Sequence, residues 1–95
     1  WDECQRCMRE IDPEFKFDCC MINHNAKCLP HKDGRNVGDS YILGLGDYTD
    51  GFLCVEGSYF KIHHRPTKFN GSLLEHSTND WEGDRWSIVW FQKQK

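Results

Sequence analysis

The sequence predicts a mainly β domain, a sandwich or jelly-roll barrel, with one short helix at its N-terminal end. Three observations carry that expectation. Apolar and aromatic runs are short and recur at intervals of about 8–12 residues. Glycine, proline and an Asn-Gly pair punctuate them. Only residues 1–12 read as helix, and Pro13 stops that segment. No repeat, low-complexity tract or linker divides the 95 residues, so one domain is expected over 1–95.

The strands follow in order. FKFDCCMIN (Phe15–Asn23) is apolar and aromatic, SYILGLG (Ser40–Gly46) is a short apolar run stopped by glycine, and GFLCVEG (Gly51–Gly57) is bounded by glycine at both ends. SYFKIHH (Ser58–His64) alternates loosely and stops before Pro66. TKFNGSLLEHST carries an Asn70-Gly71 turn signal, which predicts a hairpin with a strand on each side. RWSIVWF (Arg85–Phe91) is the strongest strand. Its alternation puts Arg85, Ser87, Val89 and Phe91 on one face and Trp86, Ile88 and Trp90 on the other, with Trp86 and Trp90 expected in the core.

Composition narrows the function. Twelve Lys and Arg stand against fifteen Asp and Glu, which does not mark a general polyanion binder. No run approaches the ~20 apolar residues that span a membrane. The opening WDECQRCMRE is charged and lacks a signal peptide's apolar run. An intracellular protein, cytoplasmic or nuclear, is expected. Six cysteines admit three readings: free thiols in a reducing compartment, a zinc module, or three disulfides. The zinc module would use Cys4 and Cys7 with Cys19 or Cys20 and Cys28, and would be a structural or interaction unit without catalysis. Adjacent Cys19 and Cys20 point to opposite faces of a strand, which disfavours joint chelation.

The chemistry gathers at LPHKDG. On extended backbone His31 and Asp33 leave the same face, so an imidazole nitrogen and a carboxylate converge where one ion can bridge them. His76, at the end of another strand, offers a third ligand. Two histidines and one carboxylate with open positions form the facial triad of non-haem Fe(II) oxygenases. Arg85 and Ser87 stand side by side on the closing strand, a planar cationic fork and a hydroxyl suited to a carboxylate. In KIHHRPTK, His63 and His64 diverge on a strand and read with Lys61, Arg65 and Lys68 as a basic loop rather than a ligand pair.

The order H-x-D, distant H, then R-x-S on a final strand resembles the Fe(II)/2-oxoglutarate-dependent dioxygenases. MINHNAKCLPHKDGRNVGDSYILGLGDYTDGFLCV followed by FNGSLLEHSTNDWEGDRWSIVWF looks like the branch of the TET and J-binding-protein enzymes. The specific part is HSTNDWEGDRWS, which fits that branch's closing segment at His76, Thr78, Gly83, Arg85 and Ser87. Departures are Asp50 and Phe52, where relatives often have Gly and Glu, and Asp80-Trp81, where they often have a Pro-aromatic pair. Such enzymes usually carry bracing N-terminal elements, so the resemblance, which covers about residues 17–92, implies a single minimal core. The resemblance implies a double-stranded β-helix. It implies Fe(II) on His31, Asp33 and His76, and 2-oxoglutarate with its far carboxylate on Arg85 and Ser87 and with Asn23 as a further hydrogen-bonding residue. It also implies dioxygen-dependent hydroxylation of a C–H bond in a nucleobase or a protein side chain, with decarboxylation of 2-oxoglutarate to succinate.

Overall fold

The computed structural model describes residues 1–94. It is mainly β, with one N-terminal helix and antiparallel sheets. Helix α1 (Asp2–Ile11) starts with Asp2 and Glu3 and ends near Arg9, charges that match the helix dipole. Asp12 leaves the helix in an extended conformation and Pro13 follows. Cys4, Cys7, Met8 and Ile11 recur at helical spacing and form its apolar stripe.

The strands are β1 (Cys19–His24), β2 (Ser40–Asp50), β3 (Leu53–Val55), β4 (Ser58–Phe60), β5 (Thr67–Phe69), β6 (His76–Thr78) and β7 (Trp81–Phe91). They build a four-stranded sheet in the order β1-β7-β2-β5 and a three-stranded sheet in the order β4-β3-β6. The first strand is shorter than expected. Phe15 and Phe17 lie outside it and pack instead beside α1 against Met8, Leu43 and Trp90. The two long strands β2 and β7 pair along their length, from Tyr41 opposite Trp90 to Asp50 opposite Trp81.

The larger sheet uses its two faces differently. Leu43, Ile88 and Trp90 meet α1, and the Trp90 indole N–H donates to the Cys4 carbonyl at 2.9 Å. The other face packs Ile42, Val89 and Phe69 against Leu53 and Val55 of the small sheet, with Ile62. The alternation read along β7 thus assigns Val89 and Trp90 to opposite cores. Trp86 is the exception: it is 39% exposed because α1 covers the sheet only as far as Ile88, and it stacks on His24 instead.

The Asn70-Gly71 signal does produce a turn, but not a hairpin. β5 pairs with β2 in the larger sheet and β6 pairs with β3 in the smaller one, so the chain changes sheets here. Asn70 Oδ1 accepts from the Ser72 hydroxyl and the Leu73 amide, a side-chain-closed turn that leaves the flanking strands free to part.

Candidate metal centre and anion pocket

His31, Asp33 and His76 come together between the two sheets. His31 and His76 form an isolated antiparallel bridge, with amide-to-carbonyl distances of 3.0 and 2.9 Å in the two directions. The bridge sets the rings side by side, centroids 4.4 Å apart. Asp33, two residues on, is tied down by its amide, which donates to the Gly71 carbonyl at 2.8 Å. Gly71 is buried here for a steric reason: a Cβ would lie 2.9 Å from Phe69 Cε2 and 3.0 Å from His76 Cε1. The glycine that reads as a turn residue also makes room for the His76 ring.

Local hydrogen bonds fix both imidazoles. His31 Nδ1 lies 2.7 Å from the Leu29 carbonyl, and His76 Nδ1 lies 3.1 Å from the Leu74 carbonyl. A carbonyl only accepts, so each Nδ1 carries the proton and each Nε2 of a neutral ring presents a lone pair. Those lone pairs face Asp33: His76 Nε2 is 3.0 Å from Oδ2 and His31 Nε2 is 3.4 Å from Oδ1. Electron-rich atoms aimed at one another need a cation or a shared proton between them. Orientation of metal-binding histidines by carbonyls on Nδ1 is a common outer-shell device. The three ligand atoms lie within 4.8 Å of one another, the one such group among the described residues. His76 is buried, whereas His31 and Asp33 are partly exposed, so the group is open on one side.

The same cavity, about 310 Å³, reaches along β7 to Arg85 and Ser87. Arg85 is 2% exposed and Ser87 3%. Arg85 Nε donates to the Gly51 carbonyl at 3.2 Å, and the rings of Tyr48 and Trp81 lie 5.7 and 5.4 Å from its Cζ. Its backbone is clamped by Asn25, whose Oδ1 accepts from the Arg85 amide at 2.8 Å and whose amide donates to the Arg85 carbonyl at 2.7 Å. Among the described residues no carboxylate pairs with this guanidinium. Burial pushes its pKa below the ordinary arginine value. A buried charge without a counter-charge is costly, and the cavity offers the position from which an anion would neutralise it.

Asn23 lies opposite Ser87 in the β1–β7 register and lines the cavity. Sequence reasoning passed over Tyr48. Among the described residues its buried hydroxyl has no hydrogen-bond partner, and its ring lies beside the Arg85 guanidinium. A Cβ at Gly44 would collide with that hydroxyl. Tyr48 sits in GDYTDG, but its approach to Arg85 depends on the pairing of Tyr48 with Gly83, a contact between distant segments.

Among the described residues the cysteines do not gather into the zinc set of the alternative reading. All six are free. Cys4, Cys7 and Cys20 lie on the α1 side of the larger sheet, whereas Cys28 lines the cavity on its other side. Among the described residues no helix is long and apolar enough to cross a membrane. The chain matches no protein-family model and no curated protein.

Proposed function

We propose that the chain is an Fe(II)- and 2-oxoglutarate-dependent dioxygenase of the TET/J-binding-protein-like branch, and that its two facing sheets are a minimal double-stranded β-helix. One observation carries the reading: a His-Asp-His ligand group and a buried guanidinium without a counter-charge share a single cavity. The donor set, two imidazoles and one carboxylate on an open side, suits Fe(II) with positions left for other ligands. The cation at the other end suits a dicarboxylate that reaches from the metal into the protein.

His31, Asp33 and His76 would hold the iron. Arg85 and Ser87 would hold the far carboxylate of 2-oxoglutarate, with Asn23 hydrogen-bonding from β1. Iron with 2-oxoglutarate supplies activation of dioxygen for hydroxylation of a C–H bond, with release of carbon dioxide and succinate. The chain's own part is to orient and to exclude water. Asn25 fixes the Arg85 backbone, and Leu29 and Leu74 fix the two tautomers. Ile42, Leu53, Phe69 and Val89 line the cavity with apolar surface that strengthens the charge interactions inside it. The substrate is a nucleobase or a protein side chain, and an intracellular, reducing location is supported by the six unpaired thiols.

The experiment is succinate formation from 2-oxoglutarate with Fe(II) and dioxygen, in the wild type and in His31→Ala, Asp33→Ala and His76→Ala. The wild type should turn over 2-oxoglutarate, even if slowly without its primary substrate, and each variant should lose that activity. Unchanged turnover in all three variants would overturn the proposal.

A further inference from the structure

We propose that Cys28 is an oxidative modification site that closes this cavity: its sulfinate supplies the anion that Arg85 lacks and displaces an anionic ligand. Of the six thiols only Cys28 is exposed, and it lines the same cavity as Arg85, Ser87 and Thr78. Its backbone is anchored. The Cys28 amide donates to Thr78 Oγ1 at 3.3 Å, the Thr78 amide donates to the Cys28 carbonyl at 2.9 Å, and the neighbouring Lys27 pairs with Asp80. The thiol is therefore held beside the cavity. A second observation points to an anion at this position: Arg85, 2% exposed, has no carboxylate partner among the described residues.

The chemistry requires a peroxide as oxidant. One hydrogen peroxide converts the thiol to a sulfenic acid and is reduced to water. A second converts the sulfenic acid to a sulfinic acid and a second water. Each step takes two electrons from sulfur and breaks one O–O bond. The sulfinic acid loses its proton at neutral pH, and the resulting anion lies in the cavity with Arg85. Cys4, Cys7 and Cys20 pack where α1 meets the larger sheet, Cys19 and Cys54 are only partly exposed, and burial with the Cys4 thiol pushes Cys20 up to about 12. Exposure therefore directs the oxidant to Cys28.

The inference rests on the dioxygenase reading only in naming 2-oxoglutarate as the displaced ligand. The test uses the Mn(II)-loaded protein, with peroxide-treated peptides mapped by mass spectrometry and 2-oxoglutarate binding followed by calorimetry. Peroxide should add two oxygens at Cys28 and weaken 2-oxoglutarate binding by roughly tenfold or more in the wild type, but leave Cys28→Ser unaffected. Cys28→Asp installs a carboxylate without oxidation, and should weaken 2-oxoglutarate binding similarly while raising the Tm of the ligand-free protein. An equal loss of affinity in peroxide-treated Cys28→Ser would overturn the inference, as would a Tm of Cys28→Asp at or below that of the wild type. If the untreated wild type binds no 2-oxoglutarate, the dioxygenase reading fails, and the Tm of Cys28→Asp still decides whether an anion at residue 28 satisfies Arg85.

Discussion

Replacing Arg85 by Met separates an arginine that braces the fold from one kept for a ligand. Among the described residues the guanidinium makes one hydrogen bond, to the Gly51 carbonyl, and approaches two aromatic faces. Losing a hydrogen bond from a charged donor costs about 1.5–3 kcal/mol, and each cation–π contact is worth on the order of 1 kcal/mol. Against this, the substitution removes a buried charge with no counter-charge, whose penalty is several kcal/mol. Methionine also fills much of the vacated volume. The opposing contributions cancel to within about 2 kcal/mol, so the Tm of the ligand-free protein should move by no more than roughly 10–15 °C in either direction. Ligand binding has no such compensation. Truncating one partner of a desolvated charge pair costs about 2–5 kcal/mol, so 2-oxoglutarate affinity should fall by at least about 30-fold. Thermal denaturation without ligand and calorimetric titration of the Mn(II)-loaded protein give the two numbers. A large fall in Tm with unchanged affinity would refute the reasoning, because Arg85 would then be structural.

Four further outcomes follow from the same geometry. Tyr48→Phe removes a buried hydroxyl that has no partner among the described residues, so stability should be unchanged or rise by about 1 kcal/mol in thermal denaturation. Gly71→Ala drives a Cβ against Phe69 and His76, so it should cost about 1–3 kcal/mol and weaken Mn(II) binding, read by calorimetry. A divalent metal at about 100 times its Kd should stabilise the fold by roughly 2.7 kcal/mol, an increase in Tm that a chelator reverses and that His76→Ala lacks. Cys20 is raised in the folded state by burial and by the Cys4 thiol, from about 8.5 for a free thiol to about 12. A raised folded value means stability is full below the unfolded value and is lost as pH rises through the folded one. In reductant, Tm should therefore fall between pH about 9 and 12, and less steeply in Cys20→Val.

Much of the molecule is legible along the chain because its signals are local. Pro13 ends the helix, the apolar stripe from Cys4 to Ile11 seats it, and the alternation in RWSIVWF assigns Arg85 and Ser87 to the cavity and Trp90 to the opposite core. Trp86 escapes that pattern because alternation gives the face but not how far α1 extends over it. The i, i+2 spacing of His31 and Asp33 is local too, but the segment is no strand: His31 sits in an isolated bridge and Asp33 is placed by its amide's bond to the Gly71 carbonyl. Asn70-Gly71 marks the turn correctly and misleads about the strands, since turn chemistry fixes a reversal but not the partner each strand then finds.

The sequence by itself determined the residue types of the site and the face of β7 that carries Arg85 and Ser87. Backbone geometry over two residues is sufficient for the latter. Only the tertiary structure decided that His76 bridges His31, that Gly71 vacates space for its ring, that Tyr48 stands over Gly44 beside Arg85, and that among the described residues no acid neutralises the guanidinium. Those contacts join segments far apart in the chain. Their energies come from burial and from charges brought together on folding, and neither exists until both sheets have closed on the cavity.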